Sequence, residues 1–226
     1  MKLLLVKHGE FQKKTGVTVN TDSALSDWGM KQACLTGSWI NYNFNLNTFK
    51  GYCSPYLKTL QTASVISEIT GIDFEVCPAL RDYRFDKGKS QIRDGGVHLP
   101  NRYIVFQNIK WNPKEWESGT KYFQEENIDD FIDRSTQFLE THQNENLVIV
   151  SHVSPIVMLS ELSIGKTRED IKKDCLETET FLSKNTNVST FLSSVERFVF
   201  LNGIKNCGVT YIEDGEPQFF GKTVYE

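Results

Sequence analysis

Short apolar runs of strand length alternate with segments of helical spacing along this chain, and this alternation constrains the fold most strongly. The runs are continuous rather than alternately apolar and polar, which is typical of strands buried on both faces of a parallel sheet. They lie at Leu3–Val6, Gly51–Cys53, Phe74–Cys77 and Leu147–Val150. Strands that alternate with helices predict an α/β protein, a three-layer α/β/α sandwich with a mostly parallel central sheet.

Apolar residues at helical spacing indicate the helices between these runs. One set is Trp28, Leu35, Trp39 and Tyr42; a second is Leu57, Leu60, Ala63, Ile66 and Ile69; the clearest is Ile128, Phe131, Ser135, Phe138 and Leu139. Each set predicts one helix packed on the sheet.

Two stretches interrupt the alternation, and the end of the chain departs from it. We interpret the stretch from about 84 to 121, which is rich in Gly, Pro, Asn and aromatic residues, as a cap-like insertion. The polar stretch from about 166 to 197 is a second, helical excursion. Val209–Ile212, Asp214-Gly215 and Phe219-Phe220 predict a C-terminal hairpin at the sheet edge. We expect all 226 residues to form a single domain.

Composition excludes several classes of function. A net charge of −4 argues against a broad nucleic-acid footprint, although it allows a small basic pocket for an anion. No apolar stretch approaches the roughly 20 residues that a membrane span needs, and the first apolar run is too short for a secretory leader. The five cysteines are scattered, as expected of reduced thiols in a cytoplasmic protein.

Two of the predicted strands lead directly into histidines, His8 and His152. Ligands of parallel α/β sheets gather at the carboxyl ends of the strands, so both side chains are expected at one crevice. Taken alone, His8 is explained better as part of an ordinary turn at Gly9 after a buried strand than as a catalytic residue.

The other two strand ends supply a cation and a carboxylate. After the second strand, Ser54 is expected to cap a helix that has Pro55 at its first position. Lys58 then lies in the first turn, beside a helix N-terminus that favours anions. The third strand leads to Asp82, which alone is equally well explained as a loop cap.

These strand ends lie within motifs that, taken together and in order, resemble the histidine phosphatase superfamily, which includes the cofactor-dependent phosphoglycerate mutases. The family's Arg-His-Gly-Glu signature corresponds to Lys7-His8-Gly9-Glu10. Its Leu-Thr-x-x-Gly-x-x-Gln-Ala and Ser-Ser-Pro-x-x-Arg-x-x-Gln-Thr-Ala segments correspond to residues 25–33 and 53–63. Further correspondences are Leu80-Arg81-Asp82, Glu117-Ser118, residues 148–152 ending in His152, and residues 206–209.

The resemblance implies a role for each strand-end residue. His8 would attack phosphorus and form a phosphohistidine, and Asp82 would act as the general acid and base. His152 would be catalytic and would bind phosphate together with Lys7 and Lys58. Lys14 is a further candidate for a phosphate contact, although a solvated lysine explains it equally well.

The chain departs from the family pattern inside this proposed site. Both of the family's phosphate-pocket arginines are lysines here, Asp82 replaces the more common glutamate, and Val153-Ser154 replaces the usual glycines. Lysine lacks the bidentate fork of arginine and holds a phosphate less rigidly.

The expected activity is that of a metal-independent phosphatase, a phosphoric monoester hydrolase that acts on a small phosphorylated metabolite. We expect no metal and no other cofactor, and neither a nucleic acid nor a membrane as a partner. A homodimer is a possible assembly. Two alternatives stay open: phosphoryl transfer like that of phosphoglycerate mutases, and a catalytically weakened member that binds a phosphorylated ligand.

Overall fold

A computed structural model of the chain describes residues 1–12, 23–83, 106, 108–110, 126–174 and 204–225. The strands are Lys2–Lys7 (β1), Phe49–Cys53 (β2), Phe74–Val76 (β3), Ile109–Lys110 (β4), Asn146–Ser151 (β5), Val209–Glu213 (β6) and Glu216–Lys222 (β7). The helices are Asp27–Asn43 (α1), Leu57–Thr70 (α2), Ile128–Thr141 (α3) and Val153–Ser163 (α4). Short 3₁₀ turns lie at Leu46–Thr48 and Pro78–Leu80.

The strands form one sheet in the order β4-β3-β2-β5-β1-β6-β7. Strands β1 to β5 pair in parallel, whereas β6 pairs antiparallel with β1 and with β7. Asp214 and Gly215, at the β6–β7 turn, both have positive φ, 50° and 82°, as a two-residue hairpin turn requires. The mostly parallel sheet and the C-terminal hairpin are therefore confirmed.

Two apolar layers, one on each face of the sheet, hold the helices in place. Successive β1 side chains alternate between the faces: Leu4 and Val6 pack in a cluster with residues of α1 and α2, and Leu3 and Leu5 in a cluster with residues of α3 and α4. The predicted three-layer sandwich is confirmed.

Helix α1 forms where it was predicted, but of the four apolar residues that marked it only Trp39 packs against the core. Trp28, Leu35 and Tyr42 are 44%, 44% and 89% exposed. The buried face carries the smaller residues Gly29, Ala33, Thr36 and Gly37, together with Gln32 and Ile40. A Cβ on Gly37 would lie 3.3 Å from Cα of Ile66 in α2, so the two helices approach too closely for large side chains between them.

The start of α2 corrects one prediction. Its N-cap residue is Tyr56, which makes no side-chain capping bond, and Ser54 lies before the helix. The hydroxyl of Thr59 donates to the carbonyls of Ser54 and Tyr56, at 2.7 and 2.6 Å, and braces this entry into the helix. Ser54 is therefore not the helix cap, although Lys58 lies in the first turn as predicted.

The two predicted insertions fall largely outside the described residues. Within the first, Ile109–Lys110 forms the edge strand β4, which was not predicted, and pairs in parallel with β3. Within the second, residues 168–174 are helical. No helix among the described residues has the length and apolarity needed to cross a bilayer.

Candidate active site

The pairing of β1 with β5 brings the two strand-end histidines together. Lys7 lies opposite Ser151 in the register, and the backbone N–H of His8 donates to the Ser151 carbonyl at 3.0 Å. The rings of His8 and His152 are therefore neighbours, with centroids 5.2 Å apart and planes inclined by 63°. Both residues are buried, at 5% and 2% exposure.

The turn after β1 packs against the first turn of α1 so closely that neither partner has room for a side chain. A Cβ on Gly9 would lie 2.6 Å from the Gly29 carbonyl oxygen, and one on Gly29 would lie 2.0 Å from that of Glu10. Ser26 caps α1 by accepting from the Gly29 N–H at 3.0 Å, and its hydroxyl donates to the Glu10 carboxylate at 2.7 Å. The start of α1 thus fixes the backbone that carries His8.

The surroundings of His8 define its protonation. Its Nδ1 lies 2.8 Å from the Gly9 carbonyl, which can only accept, so Nδ1 carries the proton and Nε2 keeps a lone pair. Burial is the main reason that the pKa of His8 falls from 6.5 to about 3, and the nearby charges of Lys58 and Lys7 lower it further. His8 is therefore a neutral imidazole at physiological pH.

Lys7 and Lys58 place two cations beside this neutral ring. The Lys7 ammonium donates to the Ile204 carbonyl at 3.0 Å, and burial, followed by repulsion from Lys58, lowers the pKa of Lys7. The Lys58 ammonium lies 4.5 Å from the centroid of the Phe11 ring, which in turn contacts the His8 ring at 5.7 Å. Two nearby cations beside a neutral imidazole suit a site that receives an anion.

Three residues surround the ring of His152. The Ser54 hydroxyl lies 2.9 Å from Nε2, and the ring of Tyr56 packs edge-on against the imidazole at 4.8 Å between centroids. On the other side, a carboxylate oxygen of Asp82 lies 3.8 Å from Nδ1, which is longer than a direct hydrogen bond.

A buried ion-pair network fixes the loop that presents Asp82. The Arg81 guanidinium pairs with Glu126 at 2.5 Å, and Arg134 donates two hydrogen bonds to the same carboxylate, at 2.6 and 2.8 Å. Arg134 also donates to the Ala79 carbonyl just before the loop. These bonds fix the residues just before Asp82, and the half-buried Asp82 carboxylate remains partly accessible.

Comparison with family models identifies the chain. The model of the histidine phosphatase superfamily (branch 1) matches residues 3–189, most of the 226. The chain belongs to the histidine phosphatase superfamily.

Solved structures with the same fold also resemble this histidine phosphatase. An α-ribazole phosphatase from Shigella flexneri has a TM-score of 0.57 at 16% identity, over 99% of this chain and 97% of that one. The product of an open reading frame from Mycobacterium tuberculosis has a TM-score of 0.56 at 18% identity, over 99% and 98% of the two chains. A mycobacterial glucosyl-3-phosphoglycerate phosphatase in complex with inorganic phosphate gives 0.56 at 15% identity, over 99% and 98%. No curated protein sequence matches the chain significantly.

In this histidine phosphatase, all five residues singled out from the sequence are gathered at the carboxyl ends of the parallel strands: Lys7, His8, Lys58, Asp82 and His152. Lys14 and Glu117-Ser118 lie outside the described residues. Among the residues that the structure describes, no three His, Cys, Asp or Glu side chains form a group that could hold a metal ion.

Sequence reasoning assigned no site role to Phe11, Ser54 or Tyr56, although all three contact residues that it did assign. Ser54 directly follows β2, as His8 follows β1, and this position was a usable signal. Phe11 and Tyr56 carry no comparable signal, because their contacts arise only when the loops are packed.

Proposed function

We propose that this histidine phosphatase is a metal-independent phosphoric monoester hydrolase that acts on a small phosphorylated metabolite through a phosphohistidine at His8. The observation that carries the proposal is the state of His8: buried, neutral, with Nδ1–H held by the Gly9 carbonyl and Nε2 left with a lone pair. An unprotonated nitrogen, already held in orientation, is what nucleophilic attack on phosphorus requires.

The cations around His8 supply the second requirement. A phosphate monoester repels nucleophiles because its oxygens are negative, and the transferring group needs that charge neutralised. Lys7 and Lys58 both lie close enough to lower the pKa of His8, so they would neutralise charge at the phosphoryl group that His8 attacks. His152, whose ring is 5.2 Å from that of His8, would donate a further hydrogen bond in its protonated form.

Asp82 is assigned the proton transfers. In the first step, a bond forms between His8 Nε2 and phosphorus, the ester P–O bond breaks, and the leaving oxygen takes the proton of the Asp82 carboxylic acid. In the second, water attacks phosphorus and gives a proton to the Asp82 carboxylate, and the P–N bond breaks to release phosphate and regenerate His8. A bound phosphate dianion favours the protonated carboxyl that the first step needs.

The structural relatives support a small phosphate ester as the substrate. The named phosphatases among them act on α-ribazole phosphate and glucosyl-3-phosphoglycerate. A phosphoserine phosphatase from Entamoeba histolytica, with a TM-score of 0.50 at 19% identity over 98% of this chain and 97% of that one, adds a third such ester. The same sheet therefore carries phosphatases for chemically different small esters.

A screen of phosphorylated metabolites for released inorganic phosphate tests the proposal, with His8→Asn as the paired variant. Release by the wild-type protein that falls at least about a thousandfold in His8→Asn supports it. Trapping of an acid-labile phosphoryl group on the wild-type chain, and not on His8→Asn, identifies the intermediate. Transfer to a second metabolite without phosphate release would indicate a mutase-like activity. Tight binding without labelling or release would indicate a ligand-binding member.

A further inference from the structure

A cleft lies beside the candidate active site and shares Lys7 with it. Its volume is about 410 Å³. The lining residues are Lys7, Trp28, Gln32, Lys205, Asn206 and Tyr225. They come from the end of β1, the first turns of α1, the residues before β6 and the end of the described chain. None of the residues other than Lys7 has a part in the phosphoryl transfer proposed above.

The polar groups of this cleft are mainly hydrogen-bond donors. Lys7 and Lys205 carry ammonium groups, which donate and cannot accept. The side-chain carbonyl of Gln32 already accepts from the Glu10 N–H at 2.9 Å, so a further hydrogen bond from Gln32 would come from its amide N–H groups. Among the residues that the structure describes, none that lines the cleft carries a carboxylate. Such a cleft suits a ligand that is rich in acceptors or negatively charged.

Two aromatic rings form the apolar part of the wall. Trp28 and Tyr225 meet edge to face, with centroids 5.8 Å apart and planes inclined by 84°. The Tyr225 hydroxyl donates to the Asn206 backbone carbonyl, which fixes that ring, while Trp28 remains 44% exposed. A partly exposed indole beside a second aromatic ring offers apolar surface on which a flat unsaturated ring can pack.

The volume and the shared lysine connect the cleft to the substrate. Small-molecule sites typically occupy about 300–1,000 Å³, so the cleft is large enough for an organic ring rather than an ion alone. Lys7 lines the cleft and also lowers the pKa of His8, so a molecule with its phosphate at His8 can extend past Lys7 into the cleft.

We propose that the cleft binds a flat, acceptor-rich ring in the alcohol part of the phosphate ester, stacked on Trp28 and hydrogen-bonded by Lys205. This rests on the proposed phosphatase function for its substrate. The cleft therefore favours phosphate esters whose alcohol carries such a ring over otherwise similar esters that lack the ring.

Three probes that share one phosphate linkage test the selection: adenosine 5′-monophosphate, cytidine 5′-monophosphate and ribose 5-phosphate. The ratio of kcat/KM for each nucleotide to that for ribose 5-phosphate is measured in the wild-type protein, in Trp28→Leu and in Lys205→Gln. Lys31→Gln is the matched control, because Lys31 is an exposed lysine of α1 outside the cleft lining. We expect at least one nucleotide to be preferred by the wild-type protein and by the control, and the preference to fall about tenfold in Trp28→Leu. The proposal is overturned if the wild-type kcat/KM ratio is near 1 for both nucleotides, or if the ratio is unchanged in both Trp28→Leu and Lys205→Gln.

Calorimetric titration of the same three esters separates failure of the cleft from failure of the phosphatase function. If no ester is hydrolysed, that result counts only against the phosphatase function. The cleft is still supported if a nucleotide binds more tightly than ribose 5-phosphate and this preference is lost in Trp28→Leu and Lys205→Gln. Equal binding of all three by the wild-type protein overturns the cleft whatever the rates are. Lys205→Gln keeps the test valid if Trp28→Leu does not fold, which circular dichroism will reveal.

Discussion

The hydroxyl of Ser54 lies 2.9 Å from Nε2 of His152, although the two residues are 98 positions apart in the chain. Ser54 has no exposed surface, so water does not compete for this contact. Its backbone N–H donates to the Val150 carbonyl at 3.0 Å, which ties the end of β2 to β5 and fixes the serine relative to the histidine. Ser54 is therefore a candidate positioning residue that orients the second histidine.

Removing this hydroxyl should reduce turnover without unfolding the protein. In Ser54→Ala, Nε2 of His152 loses this buried partner, and leaving a buried polar atom unsatisfied costs about 1–3 kcal/mol, so we expect kcat/KM to fall roughly tenfold. The pH profile of kcat/KM should also shift, because removing a hydrogen-bond partner of an imidazole nitrogen changes the balance between its two protonation states. Ser160→Ala is the matched control: Ser160 is also buried, but its hydroxyl donates to the Ile156 carbonyl within α4. Equal rates and profiles in the two variants would assign Ser54 a purely structural role.

The positions of the two histidines could be predicted from the sequence, whereas the role of Ser54 could not. The positions of His8 and His152 follow from continuous apolar strands that end in polar residues, and parallel pairing brings such ends together. The cap predicted at Ser54 was wrong because local propensity favours serine before a helix, whereas a bond to His152, far away in the chain, engages the hydroxyl. The buried face of α1 was also not predicted, since four of its six residues are small and leave no large apolar pattern in the sequence.

His8 should make the protein sensitive to acid. Its pKa is about 3 when folded and about 6.5 when unfolded, so below pH 6.5 the unfolded chain binds a proton that the folded chain refuses. Stability is lost as the pH falls from about 6.5 towards 3. Between pH 7 and pH 4.5 the histidine should remove about 2.5 kcal/mol from the free energy of unfolding.

Urea denaturation of the wild-type protein and of His8→Asn at both pH values measures this loss. The other ionisable groups are common to both proteins, so their contribution cancels in the difference. The variant should lose about 2.5 kcal/mol less than the wild-type protein. Identical losses would contradict the neutral, buried state of His8.

Because Gly29 packs against the Glu10 backbone, a substitution at Gly29 should disturb the active site without altering any residue in it. A Cβ at Gly29 would lie 2.0 Å from the Glu10 carbonyl oxygen, so Gly29→Ala must displace the turn that carries His8. We expect a loss of about 1–3 kcal/mol in stability together with at least about a tenfold loss in kcat.

Gly71→Ala provides the control for this variant. Gly71 ends α2 with φ at +73° and has open space around its missing Cβ, so alanine there strains only the backbone, by about 1–2 kcal/mol. That variant should lose stability and keep its kcat. If thermal melts and rates change in parallel in both variants, the loss of activity reflects stability alone.

Activity should be independent of divalent metals. Lys7, Lys58 and His152 supply the positive charge in the mechanism proposed above, so no step depends on a metal ion. Dialysis against a chelator, followed by assay in metal-free buffer, should leave kcat/KM unchanged within about twofold. A loss of rate that magnesium or zinc restores would reject this mechanism.

The lysines where the family has arginines predict that restoring arginine will lower activity. The partly buried Lys7 ammonium donates to the Ile204 carbonyl at 3.0 Å, and the Lys58 ammonium lies 4.5 Å from the centre of the Phe11 ring. A guanidinium is longer and wider than an ammonium, so at Lys7 it must give up the Ile204 bond or push into the cleft. Overpacking of this kind costs about 1–3 kcal/mol, so kcat/KM in Lys7→Arg/Lys58→Arg should fall about tenfold.

The opposite outcome has an equally clear physical meaning. If the lysines are only weaker phosphate ligands, the bidentate bonds of arginine should add stabilisation in the transition state and kcat/KM should rise. Lys31→Arg, on the exposed face of α1, controls for a general effect of the substitution. The single variants Lys7→Arg and Lys58→Arg separate the effects of the two positions. Lys7 is the lysine shared by the phosphate site and the cleft, so crowding at the Ile204 carbonyl predicts that Lys7→Arg alone accounts for most of the loss in kcat/KM. A rise in kcat/KM in Lys7→Arg would show that the pocket still fits arginine, and that its lysine is not an adaptation to a different ligand.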